Sequence, residues 1–192
     1  RLIKIEGDGE HKWERGNQNW SRYTHLDPKA NNIHQQAQAI LNLKNDKVIY
    51  RSEYDHASGK FTEPTKVLPK DFIAISGLHP FYLPKLRKTI DLKIYIDTDE
   101  KLRQHWKIIR DTKHRGYSIE KIMSQIETRA MDSEKYIHPQ KNFSDIIIKL
   151  FPKTEFELGS ENANFELCLK VTLDASFHLE ELIENLGCPL IW

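Results

Sequence analysis

The stretch Phe72-Ile73-Ala74-Ile75-Ser76-Gly77-Leu78-His79-Pro80 decides the class of fold. Its first four residues are all apolar and follow the turn-like segment Pro69-Lys70-Asp71. A continuous apolar run of this kind is typical of a central strand in a parallel sheet, which is buried on both faces. Gly77 allows a close approach of another backbone. Taken by itself, the end of the stretch is more typical of a strand that simply terminates in a turn.

Two further apolar runs, at 92–96 and 145–148, have the same character. Alternation of apolar and polar residues over 3–5 predicts a shorter strand that ends at Gly7. Two predicted helices between the long runs each carry an apolar stripe, formed by Leu102, Trp106 and Ile109 and by Ile119, Ile122, Met123 and Ile126. Strands that alternate with helices predict an α/β fold built on a parallel sheet.

The composition limits the classes of function. The 192 residues carry 29 Lys+Arg and 28 Asp+Glu, a formal net charge of +1, which gives no support to a nucleic-acid or membrane partner. No stretch approaches the roughly 18–20 apolar residues of a membrane span, and no signal-peptide pattern is present, so we expect a cytoplasmic location. The chain begins at Arg1 without Met, and we expect a further segment upstream.

The character of the chain changes after Pro152. Alternating apolar residues over 165–173 predict a half-buried antiparallel strand, and the spacing over 179–186 predicts a short amphipathic helix. We therefore expect a main domain of residues 1–152 and a small β-β-α appendage of residues 153–192, which could support a homodimer. Cys168 is predicted on the polar face of its strand, so no bridge to Cys188 is expected.

Two segments carry the candidate chemistry. Asp8 follows directly after a strand, where open α/β sheets place their ligands, and its carboxylate could accept a proton from a substrate hydroxyl. His11 and Arg15 could bind an anionic group nearby. The alternative is that this loop is only a solvated charged segment.

The second segment, 107–116, brings Lys107, Arg110 and Asp111 together near a helix end, with Arg115 just beyond. Guanidinium groups bind phosphate oxygens in bidentate fashion, so the cluster could clamp a phosphate. Cations that offset the helix macrodipole explain it equally well. The chain contains no zinc-type His spacing, no Gly-x-Ser-x-Gly elbow, no dinucleotide-binding fingerprint and no Gly-x-x-x-x-Gly-Lys-Ser/Thr phosphate loop.

Taken in order, six segments resemble motifs of the phosphoribulokinase/uridine kinase family of P-loop kinases. They are Glu6-Gly7-Asp8 with His11 and Arg15, Leu26-Asp27-Pro28-Lys29-Ala30-Asn31, Tyr54-Asp55-His56-Ala57-Ser58-Gly59, Gly77-Leu78-His79-Pro80-Phe81-Tyr82, Arg110-Asp111 with Arg115-Gly116-Tyr117-Ser118, and Tyr136-Ile137-His138-Pro139-Gln140-Lys141 with Asp145. The resemblance is closer to the phosphoribulokinase branch, because Leu-Asp-Pro-x-Ala-Asn and Gly-Leu-His-Pro belong to its pattern.

The resemblance implies a P-loop NTPase-like, mostly parallel sheet flanked by helices. It also implies ATP-dependent transfer of a phosphate to a hydroxyl of a small-molecule sugar or sugar phosphate such as ribulose 5-phosphate. A uridine, nucleoside or other sugar kinase on the same scaffold is an alternative. A non-catalytic module that binds a sugar phosphate or a partner protein is another.

The same resemblance assigns expected roles to residues of this chain. Asp8 is expected to be the catalytic base, and Lys107, Arg110 and Asp111 to belong to the catalytic machinery. The expected acceptor-binding residues are His11, Arg15, Tyr54, His56 and His79. Arg110 and Arg115 are expected in the lid over ATP, and Asp8 with Ser76 beside Mg²⁺.

The chain departs from the family pattern at two places. Ser76 stands where the family usually has a glutamate close to magnesium, and a serine brings no charge to a metal site. The family's phosphate loop lies on a strand and helix upstream of the strand that carries Asp8. We therefore expect the first strand, the phosphate loop and its helix to be missing from residues 1–192, and ATP binding by this chain to be impaired.

Overall fold

A computed structural model describes residues 1–20, 22–160, 164–174 and 176. Strands and helices are mixed along the chain, with five consecutive strands between the first and the second α-helix. The strands are β1 (Leu2–Glu6), β2 (Ile49–Arg51), β3 (Tyr54–Asp55), β4 (Lys60–Phe61), β5 (Thr65–Val67), β6 (Phe72–Ser76), β7 (Ile94–Thr98), β8 (Ile146–Pro152) and β9 (Leu167–Leu173). The helices are α1 (Ile33–Lys44), α2 (Pro84–Arg87), α3 (Glu100–Arg115) and α4 (Ile119–Asp132).

The long strands pair mostly in parallel. β1 runs parallel to β6, with Leu2 opposite Phe72 and Glu6 opposite Ser76. β7 runs parallel to β8, and β9 lies antiparallel to β8 on its other side. β2 with β5 and β3 with β4 form two small antiparallel pairs. The predicted α/β class with a mostly parallel sheet is confirmed.

The main hydrophobic core lies between the β1–β6 pair and the helices α1 and α2. Its buried members include Ile5, Ile40, Leu43 and Leu86, which are each at most 3% exposed. α1 contributes because its apolar residues recur every three or four positions and so lie on one face. This packing fixes the β1–β6 pair, and with it the strand ends where the candidate site begins.

The stretch 72–75 of β6 is buried on only one face, so the prediction that both of its faces are buried is wrong. Ile73 and Ile75 pack on the core, whereas Phe72 and the neighbouring Leu2 are 67% and 66% exposed. Among the described residues, none covers this second face. The same holds for β7 and β9, where Ile96 is 57% and Leu169 is 60% exposed. The predicted burial of 92–96 and the half-burial of 165–173 are therefore wrong for these side chains.

The helices α3 and α4 form the second core of the described residues, through Ile108, Ile122 and Ile126. Asp99 caps α3 by accepting a hydrogen bond from the Leu102 N–H, and Gly116 ends it in the left-handed conformation with φ of 65°. The predicted Ser118 cap of α4 is confirmed, since its side chain accepts from the Lys121 N–H.

The C-terminal part is described as far as β9. All seven residues of β9 pair with β8, so the strand extends the sheet of the main domain. The helix predicted over 179–186 and Cys188 lie outside the described residues. The domain boundary after residue 152 stays a prediction. None of the helices in the described ranges is both long and apolar enough to cross a membrane.

Candidate active site

Asp8 lies in a 3₁₀ turn, Gly7–Glu10, at the carboxyl end of β1. Gly7 is needed there because a Cβ on it would lie 3.0 Å from the Cα of Gly77 at the end of β6. Buried Arg51 supports the turn by donating a hydrogen bond to the Glu6 carbonyl at 2.7 Å. The paired strands thus place the Asp8 carboxylate at the sheet edge where open α/β folds bind ligands.

The β3–β4 hairpin brings His56 to Asp8. The His56 Nε2 and an Asp8 carboxylate oxygen are 3.0 Å apart, and both side chains are more than half exposed. Arg15 braces the hairpin tip, since its Nη2 donates to the His56 carbonyl at 2.8 Å and its N–H donates to the Gly59 carbonyl at 2.9 Å. Gly59 has a φ of 75°, and a Cβ on it would lie 2.6 Å from the Cβ of Arg15.

Four rings in mutual contact, His11, Trp20, His25 and Tyr54, form what we call the aromatic wall. Trp20 stacks on Tyr54 with ring centroids 5.9 Å apart, and His25 lies 4.2 Å from His11 and 4.5 Å from Trp20. The His11 Nδ1 bonds to the Trp13 backbone, while its buried Nε2 has no partner among the described residues. The Tyr54 hydroxyl is likewise buried without a partner there.

Burial lowers the pKa values of three histidines in this region, which favours their neutral form. Burial, helped by the nearby charges of His11, Arg129 and Arg115, lowers the pKa of His25 to about 3. Burial also lowers the pKa values of His11 and His79. The His79 Nε2 bonds to the Leu26 carbonyl at 2.8 Å, so this ring holds the loop after the aromatic wall.

The opposite side, which we call the cationic wall, consists of Arg110, Arg115 and Arg129. Behind it lies Asp111, which is fully buried. One Asp111 oxygen accepts from Arg110 at 2.8 Å and lies 3.1 Å from Arg115, and the other accepts from Lys107. Burial acts to raise the pKa of Asp111, but the hydrogen bonds from Arg110 and Lys107 outweigh it and the pKa is lowered.

The two walls and Asp8 line one cavity of about 630 Å³. Eight of the predicted site residues line it, namely Asp8, His11, Arg15, Tyr54, His56, His79, Arg110 and Arg115. Three do not, since Lys107 and Asp111 lie behind the cationic wall and Ser76 stands outside the lining. Other lining residues were not predicted from the sequence, above all Trp20, His25, His114, Gln125 and Arg129.

The described residues offer part of a magnesium site. The described residues contain no group of three or more His, Cys, Asp or Glu side chains that could hold a metal. Mg²⁺ is usually bound by one or two carboxylates together with substrate phosphates, and the half-exposed Asp8 carboxylate fits as one such ligand. Ser76 is opposite Glu6 in the register, and Glu6 is paired with Lys4 at 2.6 Å.

This fold is the α/β architecture of a known class of phosphoryl-transfer enzymes. The solved structure of phosphoribulokinase from Rhodobacter spheroides superposes with a TM-score of 0.70 and 22% identity, covering 81% of this chain and 62% of that one. The profile of the Phosphoribulokinase / Uridine kinase family matches residues 6–157. The chain belongs to this family.

Curated relatives come from both branches of the family. The chloroplastic phosphoribulokinase of Spinacia oleracea is 37% identical over 145 residues, which cover 76% of this chain and 36% of the relative. A uridine kinase of Clostridium botulinum is 36% identical over 112 residues, 57% of this chain and 54% of the relative. The longer match supports the predicted closeness to phosphoribulokinases. The chain spans little more than a third of the Spinacia oleracea protein's length.

Proposed function

We propose that this chain supplies the acceptor-binding and lid parts of an ATP-dependent kinase that phosphorylates a hydroxyl of a pentose phosphate such as ribulose 5-phosphate. The observation that carries the proposal is the composition of the cavity. Among the described lining residues, one exposed carboxylate, Asp8, and one largely buried carboxylate, Glu10, share a space of about 630 Å³ with four guanidinium groups, those of Arg15, Arg110, Arg115 and Arg129. Such an excess of cations favours substrates that carry phosphate.

Asp8 is the proposed general base. It is the exposed carboxylate at the end of β1, and its one side-chain partner among the described residues is His56, an equally exposed group on a short hairpin. When the acceptor hydroxyl takes the place of His56, Asp8 accepts the hydroxyl proton and the hydroxyl oxygen bonds to the γ-phosphorus of ATP. The bond from that phosphorus to the β–γ bridging oxygen breaks, and ADP leaves.

The aromatic wall is proposed to orient the acceptor. Its buried and unpartnered atoms, the His11 Nε2 and the Tyr54 hydroxyl, are suited to hydrogen bonds with sugar hydroxyl groups. Arg15 and His56 stand beside Asp8 and are proposed to hold the acceptor phosphate. Fixed neutral partners reduce the entropy that must be lost on the way to the transition state.

Arg110 and Arg115 of the cationic wall are proposed to face the transferred phosphate. Arg110 and Arg115 are oriented from behind by Asp111, and Lys107 stabilises that carboxylate. Mg²⁺, when bound with ATP, would neutralise phosphate charge, with Asp8 as the ligand this chain offers. Most catalysis in phosphoryl transfer comes from such positioning and charge neutralisation. We place the reaction in the cytoplasm as part of the same proposal.

The test is a transfer assay on the full-length gene product that contains these residues. ATP is supplied with ribulose 5-phosphate, ribulose or uridine, and phosphorylated products are identified by mass spectrometry. We expect transfer to ribulose 5-phosphate and much slower transfer to the two neutral acceptors. Preferential transfer to uridine would contradict the proposed acceptor and favour a nucleoside kinase.

A second candidate is a non-catalytic module that binds a sugar phosphate. It is favoured by Ser76, which brings no charge, and by the lack of a Gly-x-x-x-x-Gly-Lys-Ser/Thr sequence in residues 1–192. In that case calorimetry detects ribulose 5-phosphate binding to the full-length product but no ATP binding, and the assay yields no product with any acceptor.

A further inference from the structure

Arg129 differs from every other cation of the cavity, because none of its side-chain donors has a hydrogen-bond acceptor among the described residues. It lies on α4 and lines the cavity. Arg110 and Arg115 are bound by Asp111, and Arg15 donates to the His56 carbonyl. A half-buried guanidinium with five donors and no acceptor is costly unless a ligand provides one.

The residues one turn before and one turn after Arg129 on α4 are both hydrogen-bonded to other segments. Gln125, one turn earlier, accepts a hydrogen bond from the Lys107 Nζ at 3.2 Å. Asp132, one turn later, accepts from the Thr24 hydroxyl at 2.6 Å. Residues at this spacing share one face of a helix. The face is therefore tied at one end to α3 and at the other to the loop before His25, and Arg129 is held between these two attachments.

Asp111 does not accept a hydrogen bond from Arg129, although the negative charge of Asp111 attracts the guanidinium group. One Asp111 oxygen already forms ion pairs with Arg110 and Arg115, and the other forms an ion pair with Lys107. Burial lowers the pKa of Arg129 and the attraction of Asp111 opposes this effect. Because an arginine keeps its charge even so, the group stays a cation without an anionic hydrogen-bond partner in the described part of the chain.

We propose that Arg129 is a phosphate ligand of this cavity, and that its guanidinium binds oxygens of a substrate phosphate group. A guanidinium fork matches two phosphate oxygens, and Arg129 lies where the cationic wall meets the loop that carries His25. The phosphate comes from the acceptor or from ATP, and the experiment distinguishes these sources. The inference rests on the proposed function, since it takes the ligand to be a substrate of the kinase.

The experiment measures binding by calorimetry to the full-length gene product that contains these residues and to its variants. The probes are ribulose 5-phosphate, neutral ribulose and ATP. Arg129→Met keeps the length of the side chain and removes the charge, and Arg129→Lys keeps the charge and removes the fork. Arg103→Met is the matched control, because Arg103 is exposed, paired with Glu100 and absent from the cavity lining.

We expect Arg129→Met to weaken binding of one phosphate-bearing probe by about 10- to 100-fold. Weakened ribulose 5-phosphate binding assigns Arg129 to the acceptor phosphate, and weakened ATP binding assigns it to ATP. The affinity for ribulose stays unchanged in Arg129→Met. The affinity of Arg129→Lys for the affected probe lies between those of wild type and Arg129→Met, and the control variant binds all probes with wild-type affinity. If Arg129→Met does not fold, a several-fold loss in Arg129→Lys carries the same conclusion.

Two results overturn the inference while the proposed function stands. The first is that each probe binds to Arg129→Met with the same affinity as to wild type. The second is an equal loss for ribulose and ribulose 5-phosphate, which shows that Arg129 only supports the fold. If wild type binds neither ribulose 5-phosphate nor ATP, the proposed function fails, and the inference fails with it.

Discussion

The two walls of the cavity use opposite means to hold their polar groups. The aromatic wall buries histidines in the neutral form, and two of its polar atoms have no partner among the described residues. The cationic wall keeps its groups charged, because one buried carboxylate, Asp111, compensates Lys107, Arg110 and Arg115. Neutral groups suit the hydroxyls of an acceptor, and charged groups suit phosphate. The aromatic wall is therefore suited to binding the acceptor and the cationic wall to binding phosphate, with Asp8 between them.

Asp8→Asn breaks the link between the two walls and has the largest expected effect. The amide cannot accept the hydroxyl proton, so we expect kcat of the full-length product to fall by about 10²- to 10⁴-fold. Ribulose 5-phosphate binding changes by only a few-fold. The control is Asp71→Asn, an exposed carboxylate outside the lining of the cavity. Undiminished turnover in Asp8→Asn excludes Asp8 as the base.

Asp111→Asn tests whether the cationic wall depends on one carboxylate. Loss of the negative charge leaves buried Lys107 unpaired, so we expect the free energy of unfolding to fall by about 3–5 kcal/mol. Urea denaturation measures it. Glu120→Gln, on the exposed first turn of α4, is the control and should change it by less than about 0.5 kcal/mol. A similar small change in Asp111→Asn contradicts the proposed role.

The neutral state of His25 predicts a dependence of stability on pH. Its pKa is about 3 in the folded chain against an ordinary value of 6.5, so the unfolded chain binds the additional proton. The contribution is complete above about pH 6.5 and is lost as the pH falls towards 3. In His25→Asn we expect the slope of unfolding free energy between pH 6 and 4 to decrease by up to about 1.4 kcal/mol per pH unit. Parallel pH curves for wild type and variant contradict this prediction.

Tyr54→Phe has the smallest expected effect on stability and sharpens the contrast with Asp111. The Tyr54 hydroxyl has no partner in the described part of the chain. We therefore expect the free energy of unfolding to stay within about 1 kcal/mol of wild type or to increase. Affinity for ribulose 5-phosphate should nevertheless fall by about 2- to 10-fold, as for the loss of one hydrogen bond. A clear fall in the free energy of unfolding with unchanged affinity for ribulose 5-phosphate contradicts this prediction.

Much of the site was predictable from local patterns. Asp8 follows a strand, and Lys107, Asp111 and Arg115 recur every four residues, which places them on one side of α3. Trp20 and His25 were harder to find, because a polar loop has no periodicity that shows which side chains face inward. Arg129 looked like any polar residue of an amphipathic helix. The burial of 72–75 on both faces was wrong because apolar content alone does not show what covers a strand.

The sequence by itself determined the order of strands and helices, the family and the cations of α3, because all of these depend on neighbouring residues. Only the tertiary structure decided how distant segments meet. The Asp8 and His56 pair spans 48 positions, and the Thr24 and Asp132 hydrogen bond spans 108. Packing over such separations sets the burial that keeps His25 neutral, and it determines which cavity arginine has no acceptor within the described ranges.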